Sequence, residues 1–237
     1  MSITKIQQML QLYYAPDNAS LMLRLALEEA AQPYEAILVD RAAQAQKTPA
    51  YLRLNPVGQI PTLVTPDGPI AESGACLLWI SDTYRQNALG PSPDQPTRGT
   101  FLRWLFYISN TLHADLIRIF YPERFVTAEV KAQHHDHMVR RLVSHYEILE
   151  AAIKDEPAVF EPPSVLSLYL CPLMRWSVLY PKHADAWFDI SMYPTLKRLA
   201  QTVEQRQSAK SAAIAEGLGH APFSEPELPR PPEGSAT

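Results

Sequence analysis

YLRLNPVGQIPTLVTPDGPIAESGACLLWISDTY, residues 51–84, sets three backbone requirements in a fixed order. First comes Ile60-Pro61, a proline between the turn-forming Gly58 and the β-prone run Thr62 to Thr65. A proline at the start of a strand removes one ladder donor and restricts its predecessor, so it marks an edge where the backbone stays free for another partner. Next, Pro66-Asp67-Gly68 is a turn, because proline presets φ and glycine accepts positive φ. The two short strands on either side are therefore predicted to pair as a hairpin. Last, Glu72-Ser73 precedes GACLLWISDTY, where Ala75, Leu78, Trp79 and Ile80 recur at helical spacing. Ser73 reads as the N-cap, with free N–H groups and the positive end of the helix dipole pointing outward there. A carboxylate would bind at such a place. The segment reads as a site for a small peptide-like anion.

Upstream, Gln11 to Tyr14 is predicted as strand, Ser20 to Ala31 as helix with Leu21, Leu25, Leu27 and Ala30 inward, and Tyr34 to Val39 as strand. A βαβ unit followed by a hairpin and a helix is the layout of a thioredoxin-like α/β domain. Gln86 to Pro96, with Gly90 and three prolines, reads as a linker. Beyond it no strand pattern survives. Arg98 to Ile119 and Ala128 to Ile153 carry apolar residues at three- and four-residue steps, so the second domain is predicted all-α. Ser164 reads as N-cap of the apolar helix Val165 to Leu179. The stretch His220 to Thr237 holds five prolines and few apolar groups, and is expected to be extended or disordered and dispensable for folding. The domains expected from this are 9–85 (thioredoxin-like), 86–96 (linker), 97–219 (all-helical) and 220–237 (a proline-rich flexible tail).

The order NPVGQIPTLV…IAESGACLLWISDTY resembles the glutathione-binding half of the cytosolic glutathione transferases, and LQLYYAPDNASLMLRLALEEA resembles their first strand and helix. The likeness covers residues 9–85. It continues more thinly in WLFYISNTLH, residues 104–113, which is similar to the start of the helical domain in bacterial beta-class members. The resemblance implies a cis Ile60-Pro61 bond, with Ile60 pairing through its backbone with the cysteine of glutathione. It also implies that Glu72 and Ser73 hold the γ-glutamyl zwitterion, one as acceptor for the ammonium and the other as donor to the carboxylate. Gln59 is placed at the glycyl end, or is an exposed turn residue. Where the family's buried helix begins with a Ser/Thr-x-x-Asp box, this chain has Ser167 at the fourth position.

A transferase of this kind must turn a thiol of pKa ~8.5 into a thiolate at neutral pH, which a hydrogen-bond donor at the end of the first strand or the start of the first helix achieves. Set against the beta-class pattern, Ala19 stands where the family has its cysteine, and Ser20 where a glutathione-contacting serine stands. The donors left are Ser20, then Asn18 and, less well placed, Tyr14. Ser20 also reads as a helix cap and Asn18 as a turn residue. His113 falls where beta-class members have a histidine near the sulfur, against the bland reading of a structural histidine. Phe106 replaces a polar amide common in the family and offers the second substrate a more apolar wall. Trp104, Phe106, Tyr107 and Tyr121 line a hydrophobic pocket or belong to the core.

Composition narrows the rest. The 237 residues carry 21 basic against 25 acidic side chains, for a net charge of −4 with no basic block, so no nucleic-acid partner is indicated. MSITKIQQML lacks a leader pattern and no span approaches 20 apolar residues, so no membrane partner is expected and the protein is read as cytoplasmic. Cys76 and Cys171 sit in apolar helical patterns and read as buried hydrophobes. His134, His135, Asp136 and His137 read as a solvated helix face, since spacing indicates no third ligand and a zinc site needs three or four, and no metal is expected. The expected function is transfer of glutathione, as co-substrate, to a small apolar electrophile by a homodimer with its site between the domains. The alternatives are a non-catalytic protein-binding adaptor of the same fold and a glutathione-dependent disulfide or peroxide reductase.

Overall fold

The computed structural model describes residues 9–181 and 186–236. Leu10, Leu12 and Tyr14 of the first strand, β1 (Leu10–Tyr14), are buried on one face, while Tyr13 turns to the other and meets Tyr51 edge-on with ring centroids 5.8 Å apart. This alternation is the period-two signature of a covered strand. Helix α1 (Leu21–Glu29) returns the chain to β2 (Tyr34–Leu38), which runs parallel to β1 with Leu12 opposite Ala36. Helix α2 (Pro49–Leu54) carries Tyr51 and leads to β3 (Thr62–Thr65) and β4 (Gly68–Ile70). The sheet order is β2-β1-β3-β4, with β3 antiparallel to both neighbours. Helix α3 (Ser73–Thr83) completes a thioredoxin-like unit. Sequence reading left α2 unassigned, although Thr48-Pro49 is a helix start with proline at the first position and the Thr48 hydroxyl accepting from the Tyr51 N–H at 3.3 Å.

The second part is helical: α4 (Arg98–Tyr107), a wide π-type turn over Ile108–His113, α5 (Ala114–Phe120), α6 (Lys131–Asp155), α7 (Pro157–Phe160), α8 (Val165–Leu179), α9 (Pro194–Glu204) and α10 (Gln207–Glu216). Helix α8 occupies the bounds expected for it, and the Ser164 hydroxyl caps it by accepting from the Leu166 N–H at 3.3 Å. Residues Val165 through Ser177 of α8 are all buried, as a helix apolar on every side must be. It touches α1, α3, α4, α7 and α9, so it is the axle on which both parts are mounted. No helix among the described residues is long and apolar enough to cross a membrane.

One residue of that axle is an arginine with no exposed surface. Arg175 uses all five of its N–H donors: Nε and Nη2 reach the two carboxylate oxygens of Asp17 at 2.8 and 3.2 Å, Nη1 reaches the carbonyls of Leu218 and Pro222 at 3.1 Å each, and Nη2 also reaches the carbonyl of Glu227 at 2.9 Å. A buried charge is tolerated only when so fully paired. Its partners come from the turn after β1 and from the C-terminal segment. That segment is extended, as its prolines require, yet it is sewn to the body. Phe223 is buried, the Phe223 N–H and Ser224 hydroxyl reach the Glu204 carboxylate at 2.7 and 2.8 Å, and the Tyr14 hydroxyl donates to Glu233. Gly217 makes the passage possible. It ends α10 with φ 63°, and a β-carbon there would lie 2.0 Å from the Arg230 carbonyl oxygen. These partners are supplied by the body and leave no trace in the segment's own composition.

Ending the chain after Leu218 removes the Pro222 and Glu227 acceptors and uncovers the place Phe223 fills. Each orphaned buried donor costs about 1–3 kcal/mol, and for a chain of this size each kcal/mol moves Tm by ~2–4 °C. Calorimetry is expected to show a loss of roughly 5 °C or more on that basis. An unchanged Tm would show that the strap carries no stability.

Candidate active site

The N-termini of α1 and α3 and the segment before β3 open at one edge of the sheet, beyond the end of β1. The turn from β1 into α1 runs Ala15 to Ser20. Ser20 is completely buried, and its hydroxyl donates to the Ala15 carbonyl at 3.1 Å and accepts from the Ala15 N–H at 3.3 Å. It closes the turn on itself and makes no side-chain cap to α1. The side chain proposed first as thiol contact is thus turned inward. Asn18 differs: it is partly exposed, its Oδ1 accepts from the Ala19 N–H at 2.9 Å, and its amide nitrogen has no partner among the described residues. Tyr14 is buried and spends its hydroxyl on Glu233.

At the second element the Ile60-Pro61 bond is cis. The turn before it is locked because the Gln59 carbonyl accepts from the Tyr51 hydroxyl at 2.6 Å and the Asn55 amide at 2.8 Å. Gln59 itself is exposed. Ile60 precedes the β3 ladder, and no hydrogen bond engages its backbone among the described residues. At the third, Glu72 is exposed with φ 68°, in the left-handed region, and accepts the first helical bond from the Cys76 N–H at 2.9 Å. Glu72 is therefore the N-cap, and Ser73 is the first residue of α3 rather than its cap. The functional consequence is unchanged, since the unpaired N–H groups of the first turn still face outward.

Behind α3 the wall is built by the helical part. The Ser73 and Ser109 side chains lie beside the Tyr169 hydroxyl and offset part of the burial that pushes its pKa up. A β-carbon on Gly74 would stand 3.0 Å from Ser109 Oγ, so the start of α3 lies close against the π-type turn. His113 Nδ1 meets the same Tyr169 hydroxyl at 3.0 Å, and its ring lies 6.0 Å from that of Trp176. Withdrawal of solvent by these neighbours pushes the imidazole down to about 4, so it is neutral at pH 7. His113 is held by Tyr169, whose hydroxyl lies beside Ser73, and does not stand alone. Burial pushes the Cys76 thiol up to about 12 and the Cys171 thiol well above its ordinary value, which keeps both out of thiolate chemistry.

Of the four aromatics named for the pocket, Trp104 belongs to the core, with its indole N–H on Glu156. Phe106 is 53% exposed on the opposite face of α4 and stays available as an apolar wall. Tyr107 turns toward α6, where its hydroxyl meets His145 at 2.8 Å, and Tyr121 lies under Arg124. His134 of the four-residue histidine run hydrogen-bonds the Arg118 carbonyl at 3.2 Å. Sequence reading missed Asp17, Tyr169, Arg175 and Trp176. The signal available was a lone arginine inside LSLYLCPLMRWSVL, because a charge in an otherwise apolar helix requires a buried counter-ion.

Comparison with known proteins places this geometry. Over 211 residues the chain is 26% identical to a glutathione S-transferase, GST-4.5, of Xanthomonas campestris, covering 88% of this chain and 100% of that one. It is 27% identical to the disulfide-bond oxidoreductase YfcG of Escherichia coli, covering 89% of this chain and 97% of the other. A glutathione transferase homologue from Sulfitobacter, solved with bound glutathione, superposes with a TM-score of 0.73 at 26% identity over 86% of this chain and 96% of that chain. Residues 8–82 match the family model described as the glutathione S-transferase N-terminal domain, and the likeness to glutathione S-transferases runs on through the helical part.

Proposed function

We propose that the protein binds glutathione at the edge formed by Asn18, Gln59 to Pro61 and Glu72-Ser73, and transfers it to a small apolar electrophile. The observation that carries this reading is that three backbone or side-chain sets without partners among the described residues, at Ile60, at the first turn of α3 and at Asn18, belong to the same end of the sheet. Each matches one part of a γ-glutamyl tripeptide. The N–H groups of α3 suit the α-carboxylate and Glu72 suits the ammonium. Ile60 offers a donor and an acceptor to an extended peptide. The Asn18 amide is the donor best placed to favour a thiolate, because Ser20 is committed to Ala15. Catalysis then rests on stabilising the sulfur anion and holding it against an electrophile on Phe106. His113, neutral and held by Tyr169, braces the wall behind Ser73 and supplies no proton. The reading extends to a homodimer working in the cytoplasm.

Glutathione-dependent disulfide reduction is a second reading, favoured by the likeness to YfcG. With both protein thiols buried and held protonated, that reaction would run through the thiols of glutathione alone.

Saturating glutathione, at 100 times Kd, is expected to add about 2.7 kcal/mol of stability and to raise Tm by several degrees, at roughly 2–4 °C per kcal/mol. Glu72→Ala combined with Ser73→Ala is expected to abolish that shift while lowering the apo Tm by a few degrees, at roughly 2–4 °C per kcal/mol, because alanine takes up the left-handed φ of residue 72 only at a cost. A flat melting curve at millimolar glutathione in the unmodified protein would refute the transferase reading in favour of the adaptor.

The depressed imidazole pKa has a signed consequence. Between about 4 and 6.5 the unfolded chain takes up a proton at His113 that the folded protein refuses. The stability contribution is thus complete above pH 6.5 and is lost as pH falls toward 4, at ~1.4 kcal/mol per pH unit. His113→Gln is expected to flatten that acid limb of the stability curve. An unaltered slope would show that the ring titrates as if exposed.

A further inference from the structure

Asp17 sits between β1 and the open Asn18, with φ 49° in the left-handed region. A non-glycine residue adopts that region at a cost, and aspartate does so more readily than most because its side chain bonds locally. Here the carboxylate does not bond locally. It receives two bonds from Arg175, one from the Trp176 indole at 2.8 Å and one from the Tyr180 hydroxyl at 3.1 Å. The backbone is gripped as well. The Asp17 N–H donates at 2.8 Å to a Glu216 oxygen, while the other Glu216 oxygen accepts from Arg24 at 2.7 Å. Five donor–acceptor contacts thus fix one residue whose backbone conformation sets where Asn18 and Ala19 point. All of the gripping residues belong to α1, α8, the stretch just after α8, or α10.

We propose that Arg175 is a positioning residue for glutathione binding: through Asp17 it holds the turn that presents Asn18 to the sulfur, and the C-terminal strap is part of the same device because it fills the rest of the guanidinium. The inference rests on the glutathione reading above. Arg175 is fully buried, and its effect reaches the site through one bidentate pair with Asp17. The strap closes the device, since three of the five guanidinium N–H groups end on carbonyls of residues 218, 222 and 227. It then returns to β1 where Glu233 accepts from Tyr14 and Gly234 packs against Leu38 and Pro16. A turn in a strained conformation stays in place only where its surroundings over-determine it, and the over-determination here comes from helices and a tail remote in sequence.

The test compares the unmodified protein with Asp17→Asn, Arg175→Lys and a chain ending at Ser224, together with Leu199→Ala in α9 as a control for general destabilisation. Two quantities are measured on each: glutathione affinity by titration and hydrogen exchange of the amides of residues 18–20. Asp17→Asn keeps the shape of the side chain and loses the ion pair; Arg175→Lys keeps the charge and loses the fork. The expected result is faster exchange at residues 18–20 with affinity weakened about tenfold, equivalent to ~1.4 kcal/mol, in both substitutions. The control, at equal loss of Tm, is expected to change neither. Should both substitutions fail to fold, the chain ending at Ser224 is read in the same way, since it keeps Asp17 and Arg175 and loses the contacts of Glu227, Arg230, Glu233 and Gly234. Faster exchange with unchanged affinity would overturn the proposal, as would unchanged exchange, or an equal affinity loss in the control. Absence of glutathione binding in the unmodified protein would instead fell the transferase reading itself, and this inference with it.

Discussion

A guanidinium group with no access to water must place every N–H on an acceptor, and the acceptors of Arg175 come from three parts of the chain that share no local sequence. Removing a partner from such a pair costs about 3–5 kcal/mol, because the charge left behind is uncompensated. The turn after β1, the end of α10 and the strap are consequently fixed relative to α8 by one side chain. Apolar packing of α8 and α10 against α1, and of α8 against α3, holds the two parts together, but it is non-directional. The directional contacts, from Arg175 and Trp176 to Asp17, set how the two parts register at the candidate site.

Much of the site was legible in sequence because its requirements are local. Ile60-Pro61 announces a strand start that leaves backbone free, and Pro66-Asp67-Gly68 announces the hairpin that the structure contains. Glu72-Ser73 before an apolar helical run announces an outward-facing helix start, although the cap falls on Glu72 because a left-handed φ there, not the serine hydroxyl, begins the helix. Local rules also assigned α8 and its Ser164 cap. They failed at Ser20, whose hydroxyl finds Ala15 five residues back and so turns away from the site. They are silent on Asp17 and on the contacts of the strap, whose partners lie 158 residues and more away in one case and on α9 in the other. A composition rule that equates proline-rich with dispensable takes no account of acceptors supplied by main-chain carbonyls.

The electrostatics of the site follow the same division. Groups deep in the helical packing are pushed toward neutrality: His113 sheds its proton, and Cys76 and Cys171 keep theirs. What stays polar and open is the Asn18 amide, the Ile60 backbone and the first turn of α3. Such an arrangement leaves the bound peptide to provide the reactive sulfur and asks the protein for oriented dipoles, which act without reorganising when charge develops.

The most direct test of this account is a crystal structure of the complex with glutathione. The account requires the γ-glutamyl group at Glu72 and Ser73, the sulfur within hydrogen-bonding distance of Asn18, and the Asp17 to Arg175 pair and the strap in place. A tripeptide bound with its sulfur turned away from residues 18–20, or a complex in which the strap has left Arg175, would contradict it.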